Sequence, residues 1–131
     1  MIAVSEKWKL VLPLKAPLMT PNSQRRAHWT EVRRCKAEHE LIVSAAAGRM
    51  KPITEPVVVT VIWYAPDLRT RDSDSLDTLK KAALDALVKK GILKDDSFRY
   101  VRQTRCGPII VARDNPRIEI IVETVAEDMA E

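Results

Sequence analysis

The strongest hydrophobic pattern in this 131-residue chain lies at Pro56 to Tyr64, PVVVTVIWY. β-Branched and aromatic residues fill it almost throughout, which predicts a strand, and the near-continuous apolar run predicts burial on both faces. The next pattern has a different period. Leu76, Leu79, Ala83 and Leu87 recur at spacings of three and four, which predicts a helix opening at Ser75 or Leu76 with one buried stripe. Gly91 falls where a left-handed C-terminal cap would sit.

Weaker signals complete the set. Trp8 to Pro13 alternates and reads as a first strand, and Pro13, Pro17 and Pro21 then predict a loop without helix. From about Arg26 to Met50 the period is helical, with Trp29, Val32, Cys35, Ile42 and Ala46 near one face and Arg26, Arg33, Lys36 and Glu40 on another. Gly48 and Pro52 supply its stop. Phe98 to Arg105 and Arg117 to Thr124 read as two antiparallel strands joined through Pro108, Asn115 and Pro116. The expected architecture is α/β: a single two-layer domain over residues 1–131, with a mixed sheet, βαβαββ order and two main helices.

Composition narrows the class. With 46% hydrophobic and 31% charged residues, the chain can bury one core without disulfide or metal staples. Cys35 and Cys106 are isolated thiols without metal-ligand spacing, which suits a reducing cytosol. No apolar run reaches the roughly 20 residues of a membrane span, and the N-terminus has no signal-peptide core. The expectation is a cytoplasmic protein with no membrane partner. A net charge of +4 permits attraction to nucleic acid without demanding it.

Against that basic background, aspartate is concentrated at both ends of the second helix: Asp72, Asp74 and Asp77 at its start, Asp95 and Asp96 just past its end. Clustered carboxylates resist ionisation unless a cation sits among them, and a divalent metal is the usual one. The strand-to-helix junction is also where α/β proteins commonly place their chemistry. The plainer reading is that aspartates cap the helix and that Asp95-Asp96 forms a solvated turn. Capping needs one carboxylate, whereas this chain gathers several. A calcium-binding EF-hand loop starting at Asp72 fails, since Asp77 and Ala83 stand where glycine and glutamate are required. Gly-rich phosphate loops, His-Glu-x-x-His and Ser-His pairs are absent, so no organic cofactor is expected. His28 and His39 are read as surface or helix-face residues rather than ligands. Lys80 and Lys81, near Asp77, are the cations best placed to steady negative charge on a phosphorane or leaving oxygen.

The block Arg71-Asp72-Ser73-Asp74-Ser75-Leu76, followed by Lys80-Lys81, Asp85-Ala86-Leu87, Gly91 and Asp95-Asp96, resembles the RusA family of Holliday junction resolvases. The lead-in Pro17-Leu18-Met19-Thr20-Pro21-Asn22, with Arg26 and His28-Trp29, is similar to that of some members. Two alignments compete. One, on the opening motif, makes Asp72 and Asp74 the metal ligands, and it is preferred because it keeps both carboxylates and the preceding arginine. The other, gapless from the C-terminal side, gives the second ligand position to Asp77 and leaves Ser75 at the first. Asp96 takes the downstream position in both, with Asp95 beside it.

The resemblance implies a homodimer that uses Mg2+ or Mn2+ to cut four-way DNA junctions in recombination and repair. Asp72, Asp74, Asp96 and a lysine at Lys80 or Lys81 would be its catalytic groups. It also implies a bacterial or phage-infected cell as the setting. The expected DNA-binding residues are Arg25, Arg26, Arg33, Arg34 and Lys36 along the first helix, Arg69 and Arg71 beside the aspartates, and Arg99 and Arg102, with Arg105, in the third strand. Trp29 is available for packing or stacking. Because a straight helix from Leu76 to Lys90 is about 22 Å long, Asp74 and Asp96 are expected to lie far apart in one chain, which favours a site shared between subunits. The rival readings are a nuclease of broader branched or flap specificity and a catalytically silent DNA-binding module.

Overall fold

The computed structural model describes residues 6–72 and 74–125. Its elements in chain order are β1 (Lys7–Leu12), α1 (Pro21–Arg26), α2 (Trp29–Ala47), β2 (Val57–Ala65), α3 (Asp77–Lys89), β3 (Val101–Cys106), β4 (Ile110–Val111) and β5 (Arg117–Thr124). They form one five-stranded mixed sheet ordered β1-β5-β2-β3, with β4 pairing to the end of β2. β5 is antiparallel to both β1 and β2, whereas β3 and β4 run parallel to β2. The expected α/β class holds, and the strand order is richer than βαβαββ. The last long strands do not pair with each other; they flank β2, and the loop expected between them carries β4.

β2 is the spine of the sheet. Its residues alternate strictly, with Val57, Val59, Val61, Trp63 and Ala65 buried and the intervening ones half-buried. Burial on both faces is therefore corrected to burial on one. Register places Ile118, Ile120 and Val122 of β5 and Leu10 and Leu12 of β1 on the same side as the buried β2 positions, and Val43 and Ala47 of α2 and the α3 stripe join them in one core cluster. On the other face Arg117 lies 3.8 Å from the Tyr64 ring centroid and bonds the buried Glu119 carboxylate at 2.8 Å. Charged side chains there do part of the covering that a helix would otherwise do.

The first helical region ends at Gly48 as expected and differs from expectation at its start. Pro21 does not forbid a helix; it occupies the first turn of α1, where its missing N–H costs nothing. Thr20 and Ser23 form a reciprocal capping box ahead of it. A break at Ala27–His28 separates α1 from α2, and His28 caps α2 by accepting the Thr30 N–H through Nδ1. The buried row of α2 is Cys35, His39, Val43 and Ala47, and Trp29 is 60% exposed. His39 is fully buried rather than on the surface, and its Nε2 accepts the Leu18 N–H at 2.9 Å. Together with the Trp63 Nε1–H bond to the Lys15 carbonyl at 2.8 Å, this pins the proline-rich lead-in.

α3 follows its pattern. Leu76, Leu79, Ala83 and Leu87 are all buried, and full burial of each leucine is worth about 1.5–3 kcal/mol. Its C-terminus is closed by a Schellman arrangement: the Ile92 N–H bonds Leu87 O, and the Gly91 N–H bonds Val88 O. Gly91 adopts φ +81, and a Cβ there would meet nothing within 4 Å. Only the backbone conformation demands glycine. Gly91→Ala is thus expected to lower unfolding free energy by about 1 kcal/mol, read as a lower urea midpoint at unchanged slope; an unshifted midpoint would show that the cap contributes nothing.

Candidate functional site

The site is built from the loop after β2, the first two turns of α3 and the turn around Asp95-Asp96. Its helical part follows from the stripe just described. With Leu76, Leu79, Ala83 and Leu87 turned to the sheet, residues at the complementary spacing face outward. Asp77, Lys81 and Asp85 lie four apart in α3, and Asp74 precedes Asp77 by one turn, its carbonyl accepting the Asp77 N–H at 3.0 Å. This row holds Asp74 and Asp77 of the acidic feature seen in the sequence, and adds Asp85.

The plain capping explanation does not describe α3. Leu76 is the N-cap residue and makes no side-chain cap bond. Asp72 and Asp74 support the turn through their carbonyls, Asp72 O accepting from both the Ser75 N–H and its hydroxyl, the latter at 2.7 Å. Asp72 is exposed and Asp74 half-buried. Asp95 does behave as a turn residue, accepting the Ser97 N–H at 2.7 Å. Hydrogen bonding by Ser97, first from its hydroxyl and then from its backbone, holds the Asp95 carboxyl below its ordinary value.

Each lysine expected to act sits on a different aspartate. Lys80 Nζ lies 3.6 Å from Asp77 Oδ1, which also approaches the Cys106 thiol at 3.7 Å. Burial pushes that thiol up from its ordinary value. Lys81 Nζ lies 3.3 Å from Asp96 Oδ2 and 3.4 Å from Asp85 Oδ1. Asp96 and then Asp85 raise the Lys81 ammonium above its ordinary value. Asp96 therefore does not remain at the far end of α3. After Gly91 the chain doubles back beside the helix and delivers Asp96 to its second turn. This contact joins Asp96 to Lys81, not to Asp74, so it leaves the expectation of a site shared between subunits as the sequence put it.

No three His, Cys, Asp or Glu side chains among the described residues converge as a group able to hold a metal ion. In this arrangement lysine ammonium groups, not a closed set of carboxylates, neutralise Asp77 and Asp96. The donor chemistry is that of a hard divalent cation, with the carboxylates that would hold it spread along this surface rather than gathered into one set.

The basic residues divide. Arg25 and Arg26 in the last turn of α1, and Arg33 and Arg34 on α2, are exposed. Arg33 lies 5.4 Å from the Trp29 ring centroid, and Gln24 of α1 accepts from the Thr78 hydroxyl at 3.2 Å, so this basic surface adjoins the start of α3. Arg99 and Arg69 are exposed as well. Three others are engaged within the protein. Lys36 pairs with Asp85 at 3.2 Å. Arg102 donates to the Phe98 carbonyl and stacks 4.6 Å from the Phe98 ring centroid, so its side chain folds back on the turn ahead of β3. Arg71, with its side chain 11% exposed, bonds Asp67 Oδ1 at 2.7 Å and the carbonyls of Asp67 and Arg69 at 2.9 Å each, and lies 4.6 Å from the Trp63 ring centroid. Sequence could not show most of these occupations, because the partners are fixed by fold contacts or local turns. The one readable signal was on α3, where Asp85 follows Lys81 by four residues.

A model of the family described as Endodeoxyribonuclease RusA matches residues 17–123, and the chain belongs to that family. Among curated proteins, none matches it at a significant level.

The Asp67 brace generates a pH prediction. The Arg69 N–H first, then the Arg71 guanidinium, hold the Asp67 carboxyl below its ordinary 3.8. A depressed folded-state pKa contributes stability above the unfolded value and loses it as pH falls through the folded one. Wild-type protein should therefore show a tryptophan-fluorescence step below pH 3.8 as Arg71 leaves the Trp63 ring, and Asp67→Asn should lack it. A step common to both proteins would assign the change to another group.

Proposed function

We propose that this member of the RusA endodeoxyribonuclease family is a divalent-metal-dependent endonuclease that resolves four-way DNA junctions as a homodimer. What supports the reading above all is the meeting of Asp96 with Lys81, on the helix whose first turn carries Asp77. A nuclease needs hard oxygen donors and a cation beside one phosphate, and this surface supplies both residue types on adjoining elements.

Mg2+ is the proposed cofactor, with Mn2+ as a substitute, and its ligands are drawn from Asp72, Asp74, Asp77 and Asp96. When bound it would polarise the scissile phosphate and activate water. The helix row favours Asp74 and Asp77 as neighbours, so Asp77 carries at least as strong a claim as Asp72. Asp95 is the weakest candidate because its carboxylate already closes a turn. The chain's own contribution to binding is the exposed set Arg25, Arg26, Arg33 and Arg34 with Trp29 beside them. These groups suit backbone and shape recognition rather than base readout. The silent-module reading loses its main support with the missing side-chain cap on α3.

Cleavage of a synthetic four-way junction in Mg2+, set against a flap, linear duplex and an EDTA control, tests the assignment. Asp74→Asn and Asp96→Asn should each slow cleavage on the order of 100-fold or more, with junction affinity equal or tighter because a negative charge facing DNA is gone. Wild-type rates in both variants would remove these carboxylates from the chemistry. Equal cutting of the flap would support the broader specificity instead.

Neutralising Arg26 and Arg33 together should weaken junction binding and reduce the slope of log affinity against log salt by about 1.8, because two fewer phosphates would be neutralised and their counterions would stay on the DNA. An unchanged slope would mean that both side chains face solvent in the complex.

A further inference from the structure

Asp85 takes no part in the chemistry proposed above, yet it stands at the centre of a four-member charge chain. Lys36 Nζ of α2 lies 3.2 Å from Asp85 Oδ2, Lys81 Nζ lies 3.4 Å from Asp85 Oδ1, and the same ammonium lies 3.3 Å from Asp96 Oδ2. The Asp85 side chain is only 21% exposed, against 61% for Lys81 and 49% for Asp96. The most sheltered member of the chain is therefore Asp85; Lys36, at 49%, is as solvated as Asp96.

From this geometry we propose that Asp85 is a positioning residue for Lys81, holding its ammonium over the second turn of α3 so that it faces the scissile phosphate when Asp96 is otherwise engaged. Lysine has a flexible four-carbon stem whose ammonium must be localised to act on one oxygen. Lys81 has one carboxylate partner behind it on its own helix and one in front on the returning turn. Whatever takes Asp96 away leaves Asp85 as the remaining anchor. Lys36 restrains Asp85 from α2 and keeps that anchor from swinging after its cation. An ordinary helix-surface pair at this spacing would affect stability slightly and nothing else.

The proposal rests on the nuclease reading, and its test separates the two. Single-turnover cleavage of a four-way junction is measured for wild type, Asp85→Asn, Lys81→Met and the double variant, beside junction affinity in EDTA and melting temperature. Asp85→Asn is expected to slow cleavage by about 10-fold or more, since a displaced group near the reacting atoms is costly, with affinity and melting temperature little changed. In the Lys81→Met background the same substitution should add no further loss, and Asp85→Glu should recover most of the rate. Wild-type cleavage by Asp85→Asn, additive losses in the double variant, or a loss that follows melting temperature would each overturn the positioning role. Wild-type cleavage by Lys81→Met would remove the lysine and Asp85 together. A wild-type protein that cuts no branched DNA would overturn the nuclease reading, and Asp85's role with it.

Discussion

The burial of the α3 stripe in the core it shares with β2 is the constraint on which the rest of the structure depends. Leu79, Ala83 and Leu87 have no measurable exposure, nor do Val57, Val59 and Val61 of the same core cluster. A helix cannot rotate to present other residues without exposing that stripe, a loss of several kcal/mol. Once α3 is fixed in rotation, Asp77, Lys81 and Asp85 must face away from the sheet. The chemistry-bearing row is thus the geometric complement of the core row. The parallel pairing of β2 with β3 starts at Val57 and Val101, so a turn must lead the chain from the end of α3 to that edge of the sheet. That turn carries Asp96.

The electrostatics are of a different kind from the packing. Every ion pair around Lys80 and Lys81 is at least partly solvated, and exposed pairs contribute roughly 0–1 kcal/mol each. Such pairs are therefore cheap to rearrange. Burial pushes the Asp85 carboxyl up, and Lys36 and Lys81 together outweigh it and hold the group below its ordinary value. A surface assembled from weak pairs on a rigid helix can exchange partners when a phosphate arrives without unsettling the core. Arg71 shows the opposite design. Its hydrogen bonds and the Trp63 face immobilise the loop immediately before Asp72, so the strand-to-helix junction is stiff while the charges beyond it are not.

Much of this is legible in the sequence because the decisive signals are local. β2 announces itself through β-branched residues and α3 through its period, and Gly91 marks the left-handed cap correctly. The failures share a cause. Pro21 looks like a helix breaker because proline's effect depends on whether it falls in the first turn or the interior, and only the Thr20–Ser23 capping box decides that. His39 and Trp29 exchange their expected places because the α2 stripe is set by where the lead-in crosses it. The apolar run of β2 suggests burial on both faces, whereas Arg117 and Glu119 in fact help to cover one of them. The path of residues 94–100 is invisible: a turn closed by Asp95 and Ser97 has no period to read. Without that path the helix length alone does not show that Asp96 meets Lys81.

The return of Asp96 also bears on the two alignments of the acidic motif. Aligning on Arg71-Asp72 preserves the motif's letters, whereas the gapless alignment preserves its spacing to Lys81, Asp85 and Asp96. The fold accommodates both. An i,i+4 relation between Asp77 and Lys81 is maintained by helix geometry whatever precedes it, and Asp96 meets that same lysine. The arginine that recommends the opening motif is spent on bracing Asp67 and Trp63. Its presence therefore says more about how the loop is held than about which aspartate reaches a phosphate. Asp74, one turn before Asp77, lies in the row by position and in the motif by identity, and this makes its carboxylate the one least dependent on how the family pattern is drawn.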